Sequence, residues 1–404
     1  MRSSELLGRC ENGVWIYQGI PYATLEDRFG PPRPPPSGFR DATAPGPTAP
    51  QAELAFGPEL LAILGPGWEP GPDYLTVDVW TPDSTARDLP VMVFVHGGGF
   101  LGGSGQASMY EGTAFARDGV VLVTLNYRLG AIGWLDLPGV PRNRGLLDVL
   151  AALGWVRDHI AGFGGDPGNV TLFGQSAGAM LIAALLAVPG AERLVRRAIS
   201  QSGGAHTFRP DQAARVTAAL AERLGVAPTG KAFARIGDAD LVQAVSGLRV
   251  DTRYDRSLGV SPFKPVVDGA LDLAPVDFLI GTNENEADMY VFEPVTDADL
   301  LAAATRRHPE PEWLAASYRA RFTRPAEQLS ALMTEQFETG SARLAQAHRG
   351  RVWTYRFGLE GRAPHCAELP FVFRSGPVHD AWVRFATIGD PGWAPLPELH
   401  RLSG

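Results

Sequence analysis

The segment Val170-Thr-Leu-Phe-Gly-Gln-Ser-Ala-Gly-Ala-Met-Leu-Ile-Ala-Ala-Leu-Leu186 constrains the fold of this chain more than any other. A short apolar run leads into Gly174-Gln175-Ser176-Ala177-Gly178, and apolar residues then recur at helical spacing. The order predicts a strand, a sharp turn and a helix, with Ser176 at the apex. So tight a turn needs small flanking residues, and Gly174 and Gly178 supply them. The helix that follows points the positive end of its dipole at the serine. This is the pattern of a nucleophile elbow; the plain alternative is a Gly-rich turn with an incidental serine.

An elbow of this kind belongs in a parallel sheet, and the rest of the chain supplies the partners. Pro90–His96 and Val120–Asn126 are continuous apolar runs, as expected of strands buried on both faces. Gly145–Ile160 has helical periodicity and stops at Phe163-Gly-Gly-Asp-Pro167; Leu194–Ser200 reads as the next strand. Asp277–Gly281 and Arg351–Phe357 are later strands, and Asp380–Ile388 is a final helix. Pro210–Leu248 and Asp297–Leu344 are helical, the second broken at Pro309-Glu-Pro311 and Pro325. Gly30–Gln51, rich in Pro and Gly, is expected to be an extended covering loop. Alternating strands and helices predict an α/β fold with a mostly parallel central sheet and helices on both faces. The chain is expected to form one domain over 1–404, with helical cap or side segments at about 205–262 and 288–346.

With 404 residues, 45% of them apolar, the chain can bury a core of that size. Its net charge of -8, without a Lys/Arg block, argues against nucleic acid or an anionic membrane surface as partner. Cys10 and Cys366 lie far apart and form no disulfide framework. The first eight residues lack an apolar signal region, and runs such as Ala179–Val188 are too short to span a bilayer. A cytoplasmic protein is the expectation, monomeric or homodimeric. No His/Cys cluster implies a metal, and no cofactor is expected.

A serine hydroxyl needs a base within hydrogen-bond reach and a group that orients the base. In the chain order Ser, acid, His, an acid and then a histidine should follow Ser176, each just past a strand. The loop after Asp277–Gly281 offers Glu284, Glu286 and Asp288, and the residues alone leave all three open. Of His308, His348, His365, His379 and His400, only His365 follows a well-patterned strand by a Gly/Pro loop. Upstream, Gly97-Gly98-Gly99 follows a buried strand, where backbone N–H groups can converge on an oxyanion without a side-chain clash.

These motifs together resemble the type B carboxylesterases, the family that includes para-nitrobenzyl esterase and the cholinesterases. The resemblance rests on Gly19-Ile-Pro-Tyr-Ala23, Arg28-Phe29, His96-Gly-Gly-Gly-Phe100 and Asn126-Tyr-Arg-Leu-Gly130. It continues through Asn143–Asp148, Phe163–Pro167, Val170–Ala179, Ser200-Gln-Ser-Gly203, Pro265–Gly269 and His365–Phe373. It implies an α/β-hydrolase fold and a Ser/Glu/His triad of Ser176, Glu286 and His365. It implies Gly98, Gly99 and Ala177 as oxyanion donors, Ser202 as a supporting residue, and an ion pair between Arg128 and Asp166. Phe100, Gly259, Ser261 and Phe263 are the expected substrate-pocket residues.

Departures from the family pattern also carry information. Gln175 stands where the family usually has Glu; in the cholinesterases that carboxylate favours a cationic substrate. Gly71-Pro-Asp-Tyr74 replaces a segment that holds one half of a family disulfide and the Glu partner of the arginine at Arg28. The cap regions are shorter, and the segment after Trp393 looks truncated. Small Ser261 and Gly259 then imply an open acyl side that takes bulky or aromatic esters. The resemblance implies a serine carboxylesterase acting on small-molecule esters. Alternatives are a carbamate or amide hydrolase with the same triad, and a non-catalytic binding protein on this fold.

Overall fold

The computed structural model describes residues 6–53, 58–248 and 261–404. A ten-stranded sheet organises the molecule. In chain order its strands are β1 (Arg9–Glu11), β2 (Val14–Pro21), β3 (Thr76–Thr81), β4 (Leu89–Val95), β5 (Val121–Leu125), β6 (Gly165–Gln175), β7 (Arg197–Gln201), β8 (Asp277–Asn283), β9 (Val352–Gly358) and β10 (Leu399–Ser403). Across the sheet they run β10-β9-β8-β7-β6-β4-β5-β3-β2-β1. From β10 to β5 every neighbour is parallel, and β5-β3, β3-β2 and β2-β1 are antiparallel.

Side-chain alternation explains why the central strands are apolar throughout. Val91, Val93 and Val95 of β4 enter one core, while Met92 and Phe94 enter a second core on the opposite face. The first core is closed by helices α1 (Arg144–His159) and α2 (Ala177–Leu186), through Leu146, Val149, Leu153, Leu181 and Leu185. The helix α3 (Pro210–Leu224) and the helix α4 (Asp238–Leu248) join it through Leu220 and Leu241. A separate cluster joins α5 (Asp297–Thr305), α6 (Pro311–Arg321) and α7 (Pro325–Ala347) through Leu300, Tyr318 and Leu332. Pro311 and Pro325 open α6 and α7, where the missing N–H is no loss. The second core is closed by α8 (Pro377–Ile388), through Trp382 and Phe385. Among the described residues no helix is long and apolar enough to cross a membrane.

The stretch Gly30–Gln51 is an ordered covering segment. Arg40–Asp41 pairs with Leu6–Leu7, Gln18 N–H donates to Ala42 O at 2.8 Å, and Thr48, Ala49 and Gln51 are buried. Several elements differ from expectation. A helix spans Pro58–Leu64, β8 continues two residues past Gly281 to Asn283, and the segment after Trp393 supplies the edge strand β10.

The expected pairing of Arg128 with Asp166 is corrected by the structure. Arg128 pairs instead with Asp148 of α1 at 2.6 Å, both side chains fully buried. Asp166 accepts a hydrogen bond from Gly168 N–H at 2.7 Å. The reason is topological: Arg128 follows the C-terminal end of β5, whereas Asp166 opens β6, a parallel strand, at the opposite end of the sheet. Arg128 also donates to Gly30 O at 2.6 Å and Arg28 O at 3.0 Å, which pins the covering segment. Arg28, whose family partner is absent, pairs with Asp238 at the start of α4 and donates to Phe233 O and Ile236 O.

Candidate active site

Ser176 lies between β6 and α2 with φ 55 and ψ -120, a conformation that a residue with a side chain rarely adopts. Close packing dictates the glycines around it. A Cβ on Gly178 would lie 2.0 Å from Val95 O, and one on Gly174 would lie 2.7 Å from the same oxygen. The turn is fastened by Ser176 N–H to Gln201 O at 2.8 Å and by Met180 N–H to Ser176 O at 3.0 Å. Ala177 is the first residue of α2, so its N–H has no partner within the helix.

The loop after β4 faces this turn. Gly98, Gly99 and Phe100 have φ of 100, 64 and 63, a run of positive values that turns successive backbone N–H groups toward one side. A Cβ on Gly98 would meet Gly102 O at 2.0 Å. His96 anchors the loop: Nδ1 contacts Gly97 O at 2.8 Å, and the ring stacks on Tyr127 at 4.4 Å. Burial pushes the His96 imidazole down to about 4. Ser261 Oγ donates to Gly99 O at 2.5 Å and so braces the same loop.

Glu286 and His365 come from loops at the C-terminal ends of β8 and β9, which are parallel neighbours. The two loops are tied by Asn285 N–H to Ala363 O at 2.9 Å and Ala363 N–H to Asn285 Oδ1 at 3.0 Å. His365 Nδ1 lies 2.6 Å from Glu286 Oε2. Glu286 is fully buried, and its Oε1 accepts from Asn283 N–H at 2.7 Å. On its other side His365 Nε2 lies 3.0 Å from the Gln175 side-chain nitrogen, next to the Ser176 turn. The rings of Phe337 and Tyr290 cover the imidazole at 5.1 and 5.7 Å.

The other candidate acids and histidines lie elsewhere. Glu284 pairs with Arg401 at 3.1 Å, and Asp288 pairs with Arg362 and accepts from Ser330 Oγ at 2.5 Å. His308 packs on Trp313, His348 Nε2 meets Val276 O at 2.7 Å, and His400 stacks on Trp393. His379 bridges Val372 O and Asp118. Of the expected pocket residues, Phe100 is buried against Trp134 and Phe263 is buried in the core. Ser261 is partly exposed beside Gly99, and Gly259 lies outside the described residues. Ser202, with φ 58, is buried; its N–H donates to Gly281 O at 2.8 Å. Both cysteines are free thiols, Cys10 exposed and Cys366 buried.

Sequence reasoning did not find Asn283, Gln201 and Glu368. Glu368 is fully buried, accepting from Asn283 Nδ2 at 2.6 Å and Gln201 Nε2 at 3.1 Å. Burial and the nearby Glu286 push its carboxyl up. A Glu three residues past His365, in the same turn, was the available signal. Tyr290 and Phe337, both half-buried, were also missed, since helical periodicity cannot tell which aromatic reaches another loop.

Comparison with known proteins gives the family and the fold. The carboxylesterase family model matches residues 4–385. The chain is 36% identical to para-nitrobenzyl esterase of Bacillus subtilis, over 95% of this chain and 88% of that protein. It is 34% identical to a protein of Rhodococcus erythropolis named probable N-octanoylanthranilate hydrolase, over 93% of this chain and 84% of that one. A solved PNB esterase structure superposes with a TM-score of 0.83 at 33% identity, covering 98% of this chain and 94% of that chain. The chain therefore belongs to the carboxylesterase family, as a carboxylic ester hydrolase with the α/β-hydrolase fold.

Proposed function

We propose that the chain hydrolyses carboxylic esters through a Ser176–His365–Glu286 triad and an acyl-enzyme. The observation that carries this reading is the strained Ser176 turn beside a buried His365–Glu286 pair at 2.6 Å. With Nδ1–H donated to Glu286, Nε2 carries the lone pair that a general base needs, and Ser176 Oγ–H takes the place of the Gln175 amide on it when the base acts. Ser176 Oγ attacks the ester carbonyl carbon as Nε2 takes its proton. The N–H groups of Gly98, Gly99 and Ala177 donate to the carbonyl oxygen as it becomes an oxyanion. The tetrahedral intermediate collapses, Nε2–H protonates the departing alkoxide, and the acyl group stays on Ser176. Water then attacks the acyl carbon with Nε2 again as base; the bond to Ser176 Oγ breaks, Nε2–H returns its proton to Oγ, and the acid is released. Each oxyanion donor is expected to contribute about 3 kcal/mol of transition-state stabilisation.

Specificity is proposed to be broad. A small residue, Ser261, stands beside Gly99, and Phe337 and Tyr290 bring aromatic rings next to the base. Bulky or aromatic esters suit such walls. Amide or carbamate hydrolysis is the second reading. It is favoured by the Rhodococcus relative, whose named substrate is an N-acyl compound.

The test is hydrolysis of p-nitrophenyl esters from acetyl to long acyl, with Ser176→Ala alongside. The wild type is expected to turn over several of them. The variant should lose on the order of 10⁶ in turnover, as in comparable triads. Undiminished activity in the variant would exclude Ser176 as nucleophile, and a strict acetyl preference would exclude the open acyl side. Cleavage of N-acyl anilides but of no ester would select the second reading.

A further inference from the structure

Gln175 closes β6 immediately before Ser176, and its amide is buried. The tautomer of His365 follows from its surroundings. Nδ1 faces a carboxylate at 2.6 Å and must carry the hydrogen, so Nε2 presents a lone pair. The atom that meets this lone pair is the Gln175 amide nitrogen at 3.0 Å, which can only donate. We propose that Gln175 is a positioning residue: it holds His365 in the neutral, Nε2-accepting state before reaction, and its lack of charge extends catalysis to lower pH. This rests on the esterase reading and concerns how the base is kept ready.

The argument is one of matching partners. An amide N–H favours the unprotonated nitrogen it donates to. A carboxylate at the same place would accept from Nε2–H and favour the imidazolium, which cannot take the serine proton. The other groups around the ring do not remove this contrast. Glu286 and Tyr290 come from the turn after β8, Cys366 and Glu368 from the loop of His365 itself, and Tyr355 from β9. From α7, the uncharged ring of Phe337 lies 5.1 Å from the imidazole, and the helix's Glu338 is paired with Arg356. Glu286 is committed to Nδ1, and Glu368 to Gln201 and Asn283. Gln175 is thus the group in contact with Nε2 that decides between donating to it and accepting from it.

The experiment compares wild type with Gln175→Glu in kcat/KM for a neutral p-nitrophenyl ester from about pH 5 to about pH 9. The acidic limb of the variant should move up by about one pH unit or more, with a plateau within about tenfold of wild type. Limbs that coincide within about 0.3 unit would overturn the proposal. Should the buried charge prevent folding, Gln175→Ala removes the donor without adding one. Its limb should also move up, by less than a unit, and an unmoved limb would equally overturn the proposal. The downfield Nδ1 proton in Ser176→Ala and in Ser176→Ala/Gln175→Glu, followed by NMR through the same pH range, reads the imidazole without turnover. A titration that shifts between the two, together with no hydrolysis by the wild type, would sink the esterase reading while leaving the role of Gln175 standing. Coincident titrations would sink that role even in an active esterase.

Discussion

At the residue scale, the site depends on groups held in one protonation state by burial. His96 supports the glycine loop as a neutral ring, pushed from the usual histidine range down to about 4. The unfolded chain binds the proton more readily, so this histidine's contribution to stability is fully present above about pH 6.5. It is lost as pH falls toward about 4, and amounts to roughly 3 kcal/mol. Asp78, pushed up to about 6 by its own burial, acts with the opposite sign over an overlapping window. A bare melting curve would blend the two. The measurement is therefore the difference in stability between wild type and His96→Gln from about pH 4 to about pH 7, with the His96 ring titrated by NMR. The wild type should lose ground relative to the variant on acidification, and a ring that titrates near pH 6.5 would contradict the account. The site was legible at this scale only where chemistry left a local signature. The glycines around Ser176 announce a turn in any context. Nothing local separates Glu284, Glu286 and Asp288, because alternate residues of one loop point in different directions and only the fold decides which meets His365.

At the element scale, the junctions between strands and helices are held by buried charge. Arg128 and Asp148 join the end of β5 to α1 and to the covering segment, with both groups withdrawn from water. Breaking such a pair leaves an uncompensated charge inside the protein. Asp148→Ala is expected to destabilise by about 3–5 kcal/mol, read as a fall in the denaturant midpoint at constant slope. A change below about 1 kcal/mol would mean that water reaches Arg128 after all. Element types were largely readable, because β4 and β5 are apolar over nearly every residue while α1 and α3 repeat every three to four. Partners were not. Arg128 and Asp166 look equally available in the sequence, and the parallel order of β5 and β6 places them at opposite ends of the sheet. The same holds for Arg28, which lost one acid partner in sequence and found Asp238 through the docking of α4.

At the scale of the whole molecule, the edge of the sheet is an addition that the sequence concealed. β10 has exposed Leu399 and Arg401 alternating with half-buried His400 and Leu402, too polar and too short to read as a strand. It is paired along β9 from Thr354 to Gly358 and covers that strand's open backbone groups. Deleting residues 399–404 should leave the core intact and expose β9 as an edge. The expected results are a modest loss in melting temperature and concentration-dependent self-association in light scattering. A monodisperse deletion variant would show that β9 needs no cover. By itself the sequence determined the parallel sheet, the helices on its two faces and the serine on its elbow, because apolar periodicity and glycine placement act over a few residues. The tertiary structure decided which acid meets His365, which buried acid Arg128 takes, and that the Gln175 amide faces Nε2. Those are contacts between residues far apart in the chain, and their geometry exists only once the sheet has fixed which strand ends lie side by side.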